Sequence, residues 1–563
     1  MSQTEPEQQG QGRGQWSRMG FILAASGSAI GLGNVVFFSA NAYRFGGGAF
    51  YLPYLLALMV IGIPLMILEL GLGHQERRAF PQALQRVAGN KGELLGWWAL
   101  ANTGLIALYY VAILGWVVGM FFGSMGALWE STFPTPGFAA DELPNPYGYF
   151  FHLLSSWKPV LFVGLVWLAN GWIVRRGTRS IERAVRVFVP LMWVLMLVLV
   201  VRGLTLAGGP QGVWYLFTPD LRLMREVSVW QGAFSQIFFT LSLGFGVMTA
   251  YASYLPPKSD QTNNAVVISC LNCGFEYIAG VAVFAILFVF AAVPQASTIS
   301  MMFFIVPQGI AQLPGGGPVV IGFGLLFFLL LLLAGLSSTV SLVESLASAL
   351  IDKFRFSRRR VVVGICGFGA AGSCLFALPH VVDPAIVNDG TLGLTLLDLV
   401  DHWAFNYGLL VVGLSECLLI GWVFGVDRIR RRINSSSVWR LGRWYNWQIR
   451  WLIPGAILVV LASSAWQELS AGLYGSSYAA NFAAAWRWLA ASPKFVLLFW
   501  LIVPLLVAWL LTKRRVSNRR AAAIGKEDEK GDSNDRALQT GRAGGPPAPV
   551  GGSTGVEPDR RLA

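Results

Sequence analysis

Apolar residues dominate this chain in runs of membrane length, with polar residues confined mostly to the intervals between them. Runs of roughly 20 apolar residues predict spanning helices, and about twelve can be placed. They centre near Ala29, Val60, Tyr110, Val166, Leu195, Leu243, Ala279, Leu333, Gly367, Val411, Leu458 and Ile502. Two of these runs are interrupted at mid-length. The run from Met19 to Ala40 carries Ser26-Gly27-Ser28-Ala29-Ile30-Gly31-Leu32-Gly33-Asn34, and the run from Gly232 to Tyr254 carries Thr240-Leu241-Ser242-Leu243-Gly244-Phe245-Gly246. A hydrocarbon core penalises unpaired backbone N–H and C=O groups, so non-helical backbone persists at that depth only beside a cavity or buried in protein. Paired interruptions in two halves of a chain point to the binding site of a secondary transporter. The plainer alternative is that glycine and serine merely let helices pack closely; two such segments at matching depth favour function.

The interruptions carry a specific chemistry. Helix ends bared at mid-membrane expose N–H groups on one half, which attract a carboxylate, and C=O groups on the other, which suit a small hard cation. Glycine at positions 27, 31 and 33 lets the backbone extend and a ligand approach closely. Asn34, Thr240 and Ser242 add neutral oxygen ligands, a set matched to a monovalent hard ion.

Composition agrees. The chain has 563 residues, 55% of them hydrophobic and 13% charged, and a mean hydropathy of +0.57, which identifies a polytopic protein of the lipid bilayer. The net charge of +13 invites a nucleic-acid partner, but its placement excludes one. Basic residues gather in alternate loops, at Arg77 and Arg78, Arg175 to Arg186, Lys353 to Arg360, Arg428 to Arg432 and Lys513 to Arg515. By the positive-inside rule this predicts a multi-pass protein of the cell (inner) membrane with both termini cytoplasmic. The polar first dozen residues predict no secretory signal, and the Gly-, Pro- and acid-rich tail predicts disorder. Cys270 and Cys273 have zinc-knuckle spacing, yet without a second pair they read as helix packing. His74, His152, His380 and His402 are scattered, no phosphate-binding loop occurs, and no enzyme is expected.

Longer blocks carry a family resemblance. Gly31-Leu32-Gly33-Asn34 is followed by Phe45-Gly46-Gly47-Gly48-Ala49-Phe50, Pro53-Tyr54, Gly62-Ile63-Pro64-Leu65-Met66 with Glu69, and Tyr109-Tyr110. Then come Gln236 to Gly246, Tyr251-Ala252-Ser253-Tyr254 and Ala334-Gly335-Leu336-Ser337-Ser338. This order resembles the neurotransmitter:sodium symporter family, and within it the bacterial amino-acid transporters. The resemblance implies an all-α membrane protein of about twelve transmembrane helices. Its core would be a five-plus-five inverted repeat with interrupted helices 1 and 6. The expected parts are a cytoplasmic segment over residues 1–15, a first repeat over 16–202, a second over 203–424, two accessory helices over 425–512 and a disordered cytoplasmic tail over 513–563.

The resemblance also implies roles, residue by residue. Sodium ions are the coupling ions. One sodium site would use Ala29, Asn34, Thr240 and Asn272, completed by the substrate carboxylate. A second would use Gly27, Ile30, Ala334, Ser337 and Ser338. An amino-acid substrate would place its carboxylate on Leu32, Gly33 and Tyr110, and its ammonium near Ala29, Phe239, Thr240 and Ser242. Its side chain would face Ile106, Tyr110, Phe239, Phe245, Ser338 and Leu342. Amine transporters of the family carry aspartate at the position of Gly31, so glycine here implies an α-amino acid, neutral and aliphatic or aromatic. Glu276 lies one helical turn after Asn272, and an intramembrane carboxylate is functional by default. Chloride-requiring relatives have serine there, so Glu276 implies chloride independence, with proton exchange or a structural pairing as alternatives. Glu69 is left unassigned.

Gates follow by the same comparison. Arg13 and Asp352, with Trp16 and Tyr254 beside them, match an inner salt bridge; Phe239 and Tyr110 match an aromatic lid, and Asp401 the acidic half of an outer gate. Its basic half is absent, because Phe37 occupies the family's arginine position. His402 and Gln236 are the nearby candidates to face Asp401, and the outer gate is expected to be hydrophobic rather than ionic. The function expected is sodium-coupled amino-acid import by alternating access. The alternatives are an amino-acid-binding sensor with little transport, or a symporter for a related derivative; a homodimer is left open.

Overall fold

The computed structural model describes residues 15–135, 141–290, 297–379, 392–474 and 493–514. Arg13, His380 and nearly all of both terminal segments lie outside them. The first interrupted run forms α1 (Arg18–Ala29) and α2 (Leu32–Arg44), bent by 48° at the break. Next come α3 (Gly48–Glu76), α4 (Phe80–Gly123), the pair α5 (Tyr147–Leu154) and α6 (Lys158–Val174), and α7 (Thr178–Thr205). A two-stranded antiparallel hairpin, β1 (Thr132–Pro134) and β2 (Glu142–Pro144), lies between α4 and α5 and sets Phe133 opposite Leu143. Short α8 (Gly209–Phe217) precedes the second interrupted run, α9 (Val227–Thr240) and α10 (Val247–Ala252). The chain continues through α11 (Gln261–Val289), α12 (Thr298–Ala311), α13 (Gly317–Phe354), α14 (Arg358–Ala377), α15 (Gly393–Asn434), α16 (Trp444–Ala471) and α17 (Lys494–Lys513). The described residues up to Thr512 form one compact unit; of Lys513–Ala563 only residues 513 and 514 are described.

Among the described residues, nine helices are long and apolar enough to cross a membrane, or up to eleven spans if each of two bent pairs counts as one. The remaining expected centre, Leu243, falls in the gap between α9 and α10. Apolar side chains on α6 and α7, such as Leu161, Leu168, Val194 and Val201, point away from the protein, as on helices solvated by lipid. Small residues bring the central helices together. A Cβ on Gly335 of α13 would fall 2.1 Å from Leu114 of α4, and one on Gly27 would fall 2.9 Å from Val189 of α7. Among the described residues α4 and α13 form the most extensive helix pair.

The two breaks differ in construction. In the first, Ser26 to Ala29 stay helical and only Ile30 and Gly31 adopt extended backbone, so the unwound stretch is shorter than the polar run around it. The side-chain oxygen of Asn34 accepts the Gly31 N–H at 2.7 Å, which restarts the helix at once. The second break runs from Leu241 to Gly246. Gly244 and Gly246 take φ of +79° and +68°, left-handed conformations that glycine reaches without strain. Ser242 takes φ of +54° without that freedom, the kind of outlier that collects at functional sites. Glu69, unassigned from sequence, braces this segment: its carboxylate accepts the Gly244 N–H at 2.8 Å and its carbonyl accepts the Thr249 hydroxyl at 3.2 Å.

Candidate ion and substrate site

Both breaks face one cavity of about 750 Å³. Its deep part is lined by Ser28, Gly31, Ile106, Phe245, Ser338 and Leu342, and its far part by Arg44, Ser297 to Ile299, Asp398 and Tyr474. The volume lies within the range of small-molecule pockets. Of the sequence-predicted substrate residues, all but Thr240 line this space. The Tyr110 hydroxyl accepts the Leu32 N–H at 2.9 Å, so the bared end of α2 and a phenol already meet where a carboxylate is expected. A Cβ on Gly31 would lie 2.7 Å from the Tyr110 hydroxyl and 2.9 Å from that of Ser338. Any side chain there would fill the space between them.

Thr240 instead belongs to a polar chain behind the cavity. Asn34 donates to the Thr240 hydroxyl at 3.0 Å and to the Asn272 carbonyl oxygen at 2.8 Å, and Asn272 donates to Thr240 at 2.7 Å. The structure thus joins three expected ligands of the first sodium site, drawn from α2, α9 and α11. Thr240 donates onward to Glu276 at 2.7 Å, and Gln236 donates to the same carboxylate oxygen at 2.8 Å. The second oxygen accepts from Tyr54. Glu276 is fully buried, and three donors converge on it, an arrangement that compensates an isolated charge. Gln236 also accepts from Asn41 at 3.0 Å, so its amide is turned toward Glu276.

Four of the five residues expected at the second sodium site meet through one another. The Ser337 hydroxyl donates to the Ala334 carbonyl at 2.8 Å and reaches the Ile30 carbonyl at 3.5 Å. Ser338 donates to Ser28 at 3.0 Å and to Ala334 at 3.3 Å. Gly27, the fifth, lies beside them, its virtual Cβ 3.6 Å from the Ser337 Cβ. Carbonyls and hydroxyls of this kind can turn to a hard cation, because neither carries a charge that would need neutralising. No cluster of three or more His, Cys, Asp or Glu suited to a metal occurs among the described residues.

Over the cavity, three aromatic rings close together. Phe37 and Phe239 pack edge to face with centroids 5.4 Å apart, and Phe239 meets Phe405 at 4.6 Å. Phe405 was not singled out from sequence. Gly33 makes room for the lid: a Cβ there would fall 1.9 Å from the Phe239 ring. Asp401 has a partner other than the two considered. The Tyr109 hydroxyl donates to it at 2.5 Å, whereas His402 binds Glu468 at 2.8 Å and stacks on Tyr474 at 3.8 Å. His402 and Gln236 are corrected accordingly, because helical geometry turns each to a neighbour on another face.

At the end bearing the arginine clusters the chain is sealed by polar contacts. The Trp16 indole donates to the Tyr251 carbonyl at 3.1 Å, and the Tyr254 hydroxyl donates to Glu344 at 3.1 Å. Arg358 forms an ion pair with the fully buried Glu344 and donates to the Val174 carbonyl at 2.9 and 3.0 Å. Asp352 accepts the Ala79 N–H at 2.7 Å. Glu344 was missed in the sequence, although the rule applied to Glu276, that an acid inside an apolar run is functional by default, covers it equally.

Comparison with known proteins follows the same lines. The sodium:neurotransmitter symporter family matches residues 13–135 and 154–513. An uncharacterized sodium-dependent transporter of Methanocaldococcus jannaschii is 37% identical over 486 residues, covering 82% of this chain and 92% of the relative. The sodium- and chloride-dependent taurine transporter of Rattus norvegicus is 27% identical over 500 residues, covering 79% of this chain and 78% of the relative. The crystal structure of MhsT in complex with L-phenylalanine superposes with a TM-score of 0.68 at 32% identity, covering 80% of this chain and all of that one. With two broken helices around one cavity and a match over most of its length, the chain belongs to the sodium:neurotransmitter symporter family and is a sodium-dependent membrane transporter, not an enzyme.

Proposed function

We propose that the protein imports a neutral α-amino acid, aliphatic or aromatic, together with sodium, by alternating access. The observation that carries this reading is the meeting of Leu32 N–H, Tyr110 and an empty-sided Gly31 at the floor of the cavity. A zwitterion fits there: its carboxylate takes the place of the Leu32–Tyr110 bond, and its side chain lies among Ile106, Phe245 and Leu342. The L-phenylalanine complex of MhsT supports an amino acid of this class. The first sodium would sit among Asn34, Thr240, Asn272 and the Ala29 carbonyl, touching the substrate carboxylate. The second would sit among Gly27, Ile30, Ala334, Ser337 and Ser338.

Glu276 supports chloride independence, since a fixed carboxylate beside Thr240 supplies the negative charge that an anion supplies in chloride-requiring relatives. The arginine-bearing end is read as cytoplasmic by the positive-inside rule. The cavity then extends past the aromatic lid toward the outside, while Trp16, Tyr254, Glu344 and Arg358 close the inner side. One sodium ion moving through 100 mV supplies roughly 2.3 kcal/mol, enough for about fiftyfold accumulation. Uptake of labelled neutral amino acids into proteoliposomes tests the reading. Accumulation is expected with an inward sodium gradient and unchanged on replacing chloride by gluconate. Uptake driven equally by potassium refutes sodium coupling, and loss in gluconate refutes the role of Glu276.

A further inference from the structure

The end of α15, the turn after it and the start of α16 form one continuous segment. Its first part, Val426–Asn434, is an amphipathic helical stretch at the arginine-bearing end. Val426, Ile429 and Ile433 are buried, and the two isoleucines pack onto Gly71 of α3, whose virtual Cβ lies 2.6 Å from Ile433. Asn434 ties the turn that follows, accepting the Leu441 N–H at 2.8 Å and donating to the Leu441 carbonyl at 3.0 Å. Asp260, at the start of α11, accepts the Val438 N–H at 2.9 Å. Tyr445 then buries its ring and donates to the Pro64 carbonyl at 3.1 Å. The segment is therefore a fixed platform.

What that platform displays is two chemistries side by side. Arg428, Arg431, Arg432, Arg440 and Arg443 are exposed, and none has a carboxylate partner among the described residues. The one acid of the segment, Asp427, is already held by Arg430 at 2.9 Å, Asn446 at 2.7 Å and Arg450 at 3.9 Å. Between and beside the arginines stand Trp422, Trp439, Trp444, Trp447 and Trp451, each more than half exposed. Indole rings favour the boundary between hydrocarbon and headgroups, and arginine forks match phosphate oxygens. Five unneutralised cations on a rigid base would repel one another unless anions covered them.

We infer that the Val426–Trp451 platform binds anionic phospholipid of the leaflet at the arginine-bearing end, with its arginines on the phosphodiester groups and its tryptophans among the upper acyl carbons. A polybasic surface gains about 1 kcal/mol per basic residue on an anionic membrane, close to fivefold each. Because Ile429 and Ile433 rest on α3, the helix whose Glu69 braces the second break, the lipid would sit directly behind the transport core.

The full-length protein in neutral detergent can be titrated with phosphatidylglycerol or phosphatidylcholine and followed by native mass spectrometry and by thermal unfolding. Phosphatidylglycerol is expected to bind at least about tenfold more tightly and to raise the unfolding temperature. The triple variant Arg428→Gln, Arg431→Gln, Arg432→Gln is expected to lose most of that preference, while the three corresponding lysine substitutions keep most of it. Arg175→Gln, Arg176→Gln and Arg179→Gln, exposed on another basic loop, are expected to leave it unchanged. Equal binding of the two lipids, retention by the glutamine variant, equal loss in the second loop, or competition by glycerol 3-phosphate alone would each overturn the proposal. If the glutamine variant does not fold, salt decides on the unmodified protein. A preference that vanishes at about 1 M sodium chloride supports the proposal, and one that persists contradicts it.

Discussion

With the arginine-bearing end taken as the inner one, as proposed above, the two ends of the pathway are closed by different physics. On the outer side three rings, Phe37, Phe239 and Phe405, meet edge to face, and Asp401 of the same cavity accepts from the Tyr109 phenol. On the inner side the contacts are ionic and hydrogen-bonded: Arg358 on Glu344, Tyr254 on Glu344, Trp16 on Tyr251. A buried ion pair loses much when one partner goes, because the remaining charge stays desolvated. An aromatic lid loses surface in proportion to what is removed and leaves no charge behind. The inner closure is thus expected to be a switch and the outer one a cover that yields gradually.

That contrast can be broken at several points. The largest effect is expected at the inner end. Arg358→Gln leaves Glu344 buried without its cation, at a cost of about 3 kcal/mol, seen as a lower midpoint of thermal unfolding. Adding Glu344→Gln should restore most of the loss, since two neutral amides can bond each other; no recovery would mean that Arg358 acts through Val174 alone. At the outer end Phe239→Ala should weaken substrate binding by about 2 kcal/mol, roughly thirtyfold, with no change in salt dependence. A steep salt dependence would show an ionic gate. Tyr109→Phe strips one donor from Asp401, and about a fivefold loss of affinity is expected. Smallest of all is Phe37→Arg, which puts a cation into an aromatic cluster; uptake should stay level or fall. A marked gain in uptake and occlusion would mean that Phe37 is a defect and not an adapted lid residue.

Much of the core was legible because the membrane makes exceptions costly. Glycine and polar residues at the centre of apolar runs exposed both breaks, and family resemblance singled out Asn34 and Thr240 beside them and Asn272 on α11, which hydrogen-bond to one another. The extent of the first break was not legible. Whether Ser26 to Ala29 unwind depends on Asn34 capping Gly31, a local competition that composition leaves open. Nor could the strain at Ser242 be read, since nothing in serine demands a positive φ. The pairings of Asp401 with Tyr109 and of Glu344 with Arg358 depend on which helix faces meet. Asp401 and Tyr109 lie on different helices, α15 and α4, and spacing along the chain says nothing of their approach. Glu344 and Glu416 were open to detection by the rule used for Glu276, as carboxylates within apolar spans, and both prove fully buried.

The central claim is that two unwound segments jointly hold sodium and a zwitterion. It is tested most directly by measuring binding of the neutral amino acids to the purified protein, first in sodium and then in potassium, through their effect on the unfolding temperature. At least one amino acid is expected to stabilise the protein in sodium and to lose that effect in potassium, with Thr240→Ala abolishing it in sodium. Stabilisation of equal size in the two salts would contradict the claim.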